Sequence, residues 1–506
     1  MALVDPADDA SDEVERFRDL VGRQLGLFFE DAKLGFLADV LRHRLAANAV
    51  DASAYLARLE RAPSAEEHGA LAQELTVPET YFFRNIEQFH ALAQLALPER
   101  FRAQQARRCL RLLSAGCASG DEAYSLAVIA RENVPDASWD LSVRAVDLNP
   151  TMLERARRAR FTDWALRETP AEQRNWFRQE GREFVLDDAV RGAVRFEQRN
   201  LAQDDPELWQ AEFYDVIFCR NVIMYFTPEN ARALIGRITR SLAPGGYLFL
   251  GYAETLRGLS QDFHLRHAHG AFCYQRKGAI EAAAAHWTEC GSTPRHLASE
   301  LPAVVTGAAS WIDVIHRAAA RIHALAEAPG AVGVAALRAK PDLGSAFELL
   351  SRERFQAALE VVRGLPSESA SDPDVLMLEA VLLTHSGQLA NAKAACARLL
   401  AMDELSAGAH YVLALCCEAE GDRREAAEHD QVAIYLDPAF AMPRLHLGLL
   451  ARKDGDRDTA RRELRQALHL LQREEAARLL LFGGGFGRDA LIALCASELQ
   501  AHGDAR

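Results

Sequence analysis

The sequence predicts three architectures in succession: a small all-α domain, an α/β domain built on a mainly parallel sheet, and an all-α array of helical repeats. Three observations carry this reading. Apolar residues recur at helical spacing over roughly the first 75 positions, strand-like and helical segments alternate from about 110 to 276, and a 34-residue period runs through the last third of the chain. At 506 residues the chain exceeds one ordinary domain, and length alone suggests about three.

Residues 1–88 read as helical. Val14, Phe17, Leu20 and Val21 share one helical face, as do Leu34, Leu37, Val40 and Leu41, and Gly, Pro and β-branched runs are scarce. The pattern changes near 110. LRLLSAG is an apolar strand ending in small residues and DEAYSLAVIARE a following helix; LSVRAVDLN and PTMLERARRARF repeat the pair. VRFEQRN, YDVIFCRNVIMYF, the helical PENARALIGRITRSLA and GGYLFLGY continue the alternation, which argues for a parallel sheet with helices on both faces. FHLRHA and AFCYQRK close this second domain, residues 89–276, as an antiparallel hairpin. Residues 277–338 turn Ala-rich and read as a partly helical linker, interrupted by the amphipathic SWIDVIHRAAARIHALAEA.

Residues 339–475 carry the repeat. Ala346, Ala380, Ala414 and Gly448 step by 34, as do Ala358, Ala392, Ala426 and Ala460, and Gly387, Gly421 and Gly455 mark the turn of each unit. This is the helix–turn–helix period of tetratricopeptide repeats, with small residues where paired helices must approach closely. Pro438 falls at an expected helix end, and the first unit is degenerate, with Glu353 in place of the turn glycine. LLLFGGGFGRDALIALCASELQ breaks the period and reads as a glycine turn followed by a closing helix within 476–506.

Composition narrows the function. Hydrophobic residues make up 49% and charged residues 26%, ordinary for a globular protein. The formal net charge of −14 without a long basic run argues against a nucleic-acid partner. Nine cysteines without a C-x-x-C pair suit a reducing compartment. The acidic N-terminus is unlike a signal peptide, and no apolar run approaches the ~20 residues of a membrane helix. A cytoplasmic protein without direct membrane insertion is expected.

The candidate site lies at the strand ends. In SAGCASGDEAYS, Gly116 and Gly120 let backbone approach a ligand, while Asp121 and Glu122 at the helix start repel a pyrophosphate and suit a cationic amino group; acids there also stabilise the helix dipole on their own account. Asp147 ends the second strand, where a carboxylate accepts from a ribose diol; the competing role, a helix N-cap, falls better to Asn149. Arg220, Asn221 and Tyr225 follow the strand YDVIF, whereas Cys219 suits packing better than nucleophilic attack. Asn200, past another strand, suits reading an adenine edge, though a lone Asn in a turn is usually structural. In TVPETYFFRN, Phe82 and Phe83 suit a core, while Thr80 and Arg84 either reach the cleft or, in the plainer reading, Arg84 forms a surface ion pair.

Together ETYFFRN, SAGCASGDEAYS, AVDLNPTMLERAR, RNL, YDVIFCRNVIMYF and LAPGGYLFLGYAETL, in this order over residues 10–276, resemble the chemotaxis receptor methyltransferase (CheR) family. The resemblance implies a helical domain followed by a class I (Rossmann-like) methyltransferase sheet with a small β insertion. It implies S-adenosylmethionine as cofactor, with contacts from Thr80, Arg84, Glu122, Asp147, Asn200, Leu201, Arg220 and Asn221, and Tyr225 near the transferred methyl. Pro78 departs from the family, standing where other members have a cofactor-contacting Asn, and GYAE replaces a more usual G-H-S-E.

The implied reaction is methyl transfer to glutamate side chains in the cytoplasmic domain of a methyl-accepting chemotaxis-type receptor. Arg84 and Tyr225 are the expected orienting residues, and no metal is expected. Lys33, Arg42, His43 and Arg44 are read as lying on one N-terminal helix that faces an acidic receptor helix bundle, against the alternative of a solvated charged face. The segment WFRQEGREFVLDDAVRGAVRF is short, so dependence on a receptor C-terminal peptide is not expected. The repeats are expected to bind a protein or peptide partner through a concave groove. The rival readings are a small-molecule O-methyltransferase and a cofactor-sensing scaffold without catalysis.

Overall fold

The computed structural model describes residues 6–61, 64–76, 79–278, 343–352, 354–366, 369–484 and 486–500. Pro78, Glu353 and the amphipathic linker segment lie outside the described residues. The chain divides into two compact units, Met1–Glu289 and Cys290–Arg506.

The first unit opens with α1 (Pro6–Leu25), α2 (Leu34–Asn48), α3 (Ala52–Arg61) and α4 (Ala65–Leu75). Phe17, Leu20 and Val21 pack with Leu37, Val40 and Leu41 around Tyr55 and Leu56, so the two helical stripes in the sequence face one another. Ala49, in the left-handed conformation, ends α2, and the Ser64 hydroxyl accepts from Glu67 N to start α4.

Arg44 points into this bundle. Its guanidinium lies 2.7 Å from Glu67 and 3.2 Å from Glu74, and the Tyr55 hydroxyl donates to the same Glu67 at 2.7 Å. Burial works against the Glu67 carboxylate, but donors from Arg44, Tyr55 and Asn48 outweigh it and hold its pKa at about 2. Arg44 is therefore a structural cation, which corrects its expected place on a docking surface. Lys33 belongs to a 3-10 turn, Asp31–Lys33, ahead of α2 rather than to the helix itself. Arg42 is exposed beside Asp39, and His43 beside Glu74.

A connecting segment, α5 (Ile86–Ala91), a π turn (Leu92–Ala96) and α6 (Leu97–Ala103) lead to the sheet. There follow β1 (Cys109–Ala115), α7 (Asp121–Asn133), β2 (Asp140–Asp147), α8 (Pro150–Arg158), β3 (Arg160–Phe161), β4 (Phe177–Glu180), β5 (Glu183–Leu186), α9 (Asp188–Arg191), β6 (Val194–Gln198), β7 (Tyr214–Cys219), α10 (Pro228–Ser241), β8 (Leu242–Leu250), β9 (Phe263–Ala268) and β10 (Ala271–Arg276). The main sheet runs β6-β2-β1-β7-β8-β10-β9, and β3-β5-β4 form the small insertion. β6, β2, β1, β7 and β8 are parallel, while β10 and β9 close the edge antiparallel. β7 is buried at every position, as a central parallel strand covered on both faces must be. Strand order reverses between β1 and β7, and open α/β sheets bind ligands at the carboxyl ends beside such a switch point.

Among its described residues the second unit contains four helix pairs: Gly344–Ser351 with Phe355–Arg363, Pro373–His385 with Leu389–Met402, Ala407–Glu420 with Arg423–Leu436, and Ala441–Lys453 with Arg457–Leu471. Ala346, Ala380 and Ala414, like Ala358, Ala392, Ala426 and Ala460, are completely buried. At Gly448 even one methyl would stand 2.9 Å from the Leu464 side chain, so the repeated small residues are a condition of close helix packing. Gly387, Gly421 and Gly455 take left-handed conformations in the turns, which disfavour side chains. Two further helices, Ala476–Phe482 and Arg488–Gln500, follow the repeats, the second packed on Arg457–Leu471. Among the described residues no helix is long and apolar enough to cross a membrane.

Candidate active site

A cavity of about 320 Å3 lies at the carboxyl ends of β1, β2, β6 and β7, under the N-terminal helices, within the range of small-molecule sites. Thr80, Arg84, Gly116, Glu122, Asp147, Asn200, Leu201, Arg220, Asn221 and Tyr225 all line it. The fold brings them together because parallel strands deliver their following loops to one sheet edge.

The strap Glu79–Asn85 enters through its phenylalanines. Phe82 and Phe83 are completely buried, and Phe82 stands edge-on to Phe161 and Phe177 with centroids 4.7 and 4.8 Å apart. Phe82 N donates to Ala165 O and Phe83 N to Ser125 Oγ. These anchors leave Thr80, Tyr81 and Arg84 against the cavity. An Arg84 guanidinium N–H donates to Glu79 O at 3.0 Å, so its partner lies within the strap.

One end of the cavity suits a zwitterion. Glu122 accepts from the Ser114 hydroxyl at 2.8 Å and lies 3.5 Å from the Arg220 guanidinium. Burial pushes the Glu122 carboxyl up, against the pull of Arg220. Arg220 donates to Arg84 O at 2.7 Å and to Asn85 Oδ1 at 2.6 Å, yet its buried Nε has no hydrogen-bond partner. A buried N–H without a partner is costly, and an amino-acid carboxylate would satisfy it while Glu122 takes the ammonium.

At the other end Asp147 accepts from Ala118 N and Asn149 N, each at 2.8 Å, one on each carboxylate oxygen. A carboxylate offers about four acceptor sites, so capacity remains for a ribose hydroxyl. Burial raises its pKa against these backbone donors. Asn149 caps α8 through Thr151 N and Met152 N. Leu148, Met152 and Leu201 supply an apolar wall. Gly116 has φ +85°, and a methyl there would stand 2.5 Å from the Val222 side chain. The donor set therefore fits an aminoacyl nucleoside.

Asn200 departs from its expected use. Its amide donates to Gln24 O at 2.8 Å and its carbonyl accepts from Ala202 N at 2.9 Å. The amide thus ties the loop after β6 to α1 while the carbonyl closes a local turn, and adenine reading is not what positions this side chain. Cys219 is buried, and burial raises its thiol well above the ordinary value, which fits packing.

Two features lay beyond the sequence reading. The backbone of Tyr225 accepts from Phe28 N at 2.7 Å, and Leu27 bridges Phe226, so the N-terminal domain holds the loop that presents the tyrosine. Glu254, the acid of GYAE, accepts from five backbone N–H groups. Gly251 N and Asn221 N reach one oxygen at 2.8 and 2.6 Å; Val222 N, Ile223 N and Met224 N reach the other at 2.8, 2.8 and 3.3 Å. An acid just after a strand is the only signal the sequence offered.

Residues 78–272 match the family model "CheR methyltransferase, SAM binding domain". The chain is 33% identical over 256 residues to "Chemotaxis protein methyltransferase 2" of Vibrio cholerae, covering 50% of this chain and 88% of that protein. It is 30% identical over 451 residues to "Probable biofilm formation methyltransferase WspC" of Pseudomonas aeruginosa, covering 88% and 96%. A solved structure described as a thermophilic TPR protein of Thermus thermophilus is 24% identical, with a TM-score of 0.25, over 32% of this chain and 91% of that one. The chain belongs to the CheR family and is a methyltransferase of chemotaxis-type signalling that uses S-adenosylmethionine.

Proposed function

We propose that the chain is a cytoplasmic protein-glutamate O-methyltransferase acting on the cytoplasmic domain of a methyl-accepting chemotaxis-type receptor. What supports this reading is a cleft in which Glu122 faces Arg220 and whose lining includes Arg84 and Tyr225, the latter 37% exposed. A side chain on another protein can reach such a cleft.

When bound, S-adenosylmethionine supplies an electrophilic methyl on a sulfonium. Glu122 and Arg220 hold the amino-acid end, Asp147 the ribose, and Leu201 and Met152 the base. Thr80, Asn221 and the backbone at Gly116 shape the cleft between them. A glutamate carboxylate is already ionised near neutral pH, so attack needs no general base and no metal. What remains is alignment of nucleophile, methyl and leaving sulfur. Arg84 draws in the acceptor carboxylate, and Tyr225 closes the methyl pocket.

Lys33 and Arg42 remain candidates for receptor docking, without Arg44. The repeats bind a partner and raise the local concentration of substrate. Catalysis does not require a receptor C-terminal peptide on the β3–β5–β4 insertion; tight binding of that peptide would count against this. The test is incubation of labelled S-adenosylmethionine with the receptor cytoplasmic domain. The expected product is a base-labile methyl ester, lost in Arg84→Ala with the fold intact. Binding without transfer would support a cofactor-sensing scaffold instead.

A further inference from the structure

The helix Ala476–Phe482 lies across the first helices of the repeats. It packs against Gly344–Ser351 and Pro373–His385. Its Phe482 ring stands 5.8 Å from Tyr411 and 5.0 Å from Phe440 between centroids, and the Tyr411 hydroxyl donates to Phe482 O at 3.5 Å. Seven residues thus touch all four repeats. The first helices of the second and third pairs, Pro373–His385 and Ala407–Glu420, pack on one another, as on the inner side of a curved stack. The segment lies on this inner face, where solenoids take their ligands.

The seat is shaped for an aromatic anchor. Leu479, Leu481 and Phe482 are at most 6% exposed. Gly408 makes room: a methyl there would stand 2.9 Å from both Phe482 Cζ and Met377 Cε. One turn before Phe482, Arg478 pairs with Asp437 and lies 4.7 Å over the Phe440 ring. The groove therefore selects a cation one turn ahead of an aromatic, with leucines between.

The segment is held by the groove rather than by its own helical stability. A seven-residue helix is not stable alone in water. Three glycines, Gly483–Gly485, follow it, and Phe486 beyond them is 62% exposed. We propose that this groove is a docking site for a short partner helix with an Arg-Leu-x-Leu-Phe pattern, and that residues 476–482 are a built-in competitor for it. The proposal deepens the reading of the repeats as a partner module. It is independent of methyl transfer, so its failure would leave that activity untouched.

The probe is a fluorescent peptide of residues 474–488, titrated into the full-length chain. Wild type should bind it at least tenfold more weakly than the folded double variant Leu479→Ala/Phe482→Ala, whose groove is vacated. Adding Gly408→Ala to that variant should abolish binding by filling the anchor seat. Equal binding to wild type and double variant, or none to a folded double variant, would overturn the proposal. Should the double variant fail to fold, hydrogen exchange on wild type decides. Residues 476–482 must exchange well ahead of Ala407–Glu420 and Ala441–Lys453, and equal protection refutes a displaceable segment.

Discussion

Replacing Glu254 with glutamine should release the loop that carries Asn221 to Tyr225. The carboxylate accepts from two N–H groups on one oxygen and three on the other. Glutamine can present its carbonyl to the larger set, but its amide then faces the donors of Gly251 and Asn221. Hydrogen bonds to a charged group contribute about 1.5–3 kcal/mol each, so two lost bonds amount to about 3–6 kcal/mol. Relaxation of the loop toward solvent should leave about 3 kcal/mol realised. A tenfold change in rate corresponds to about 1.4 kcal/mol, so turnover should fall roughly 100-fold. Thermal unfolding and methyl incorporation, measured on the same full-length variant, read the two effects. Glu254→Gln with wild-type melting temperature and turnover would refute the claim that this carboxylate organises the loop.

Three further predictions follow from particular contacts. Arg44→Ala should destabilise the protein by about 3 kcal/mol, because removing one partner leaves the buried Glu67 without its counter-charge; Arg42→Ala should leave the melting temperature unchanged, and equal effects would contradict the structural role given to Arg44. Burial of Asp121 raises its pKa to about 6, against a hydrogen bond from Ser119. A carboxyl that binds its proton more tightly when folded loses stability as pH rises from about 4 to about 6, so Asp121→Asn should stabilise the protein at pH 7.5, by up to about 3 kcal/mol. That gain should vanish in melts near pH 4, and a pH-independent gain would rule out titration as its cause. Gly116→Ala forces a side chain to a positive φ, at roughly 1–2 kcal/mol, and against Val222; cofactor affinity should fall at least tenfold by calorimetry, and unchanged affinity would show that the backbone there does not shape the cleft.

Periodic features were legible in the sequence because they repeat one physical requirement. The small residues of the repeats recur every 34 positions since each pair must pack equally closely, and the apolar run of β7 announces a strand covered on both faces. Cleft-lining residues were legible for a topological reason: parallel strands place Gly116, Asp147, Asn200 and Arg220 at one edge. Partnerships across sequence were not. Arg44 looked like a surface cation because Glu67 and Glu74 belong to another helix, and the amide of Asn200 meets Gln24 only once α1 docks on the sheet. Glu254 gave no sign of its role because its five donors come from two loops that only the fold joins. The helix Ala476–Phe482 was hidden for a similar reason: leucines before a glycine turn do not say which groove they enter.

The most direct test is calorimetric titration of S-adenosylhomocysteine, the demethylated product, into the wild-type chain and into Asp147→Ala and Glu122→Ala. Saturable one-site binding to wild type, weakened at least tenfold in each variant, is the predicted result. Undiminished affinity in both variants would mean that the ligand does not sit between these two carboxylates, and the account of the cleft would be wrong.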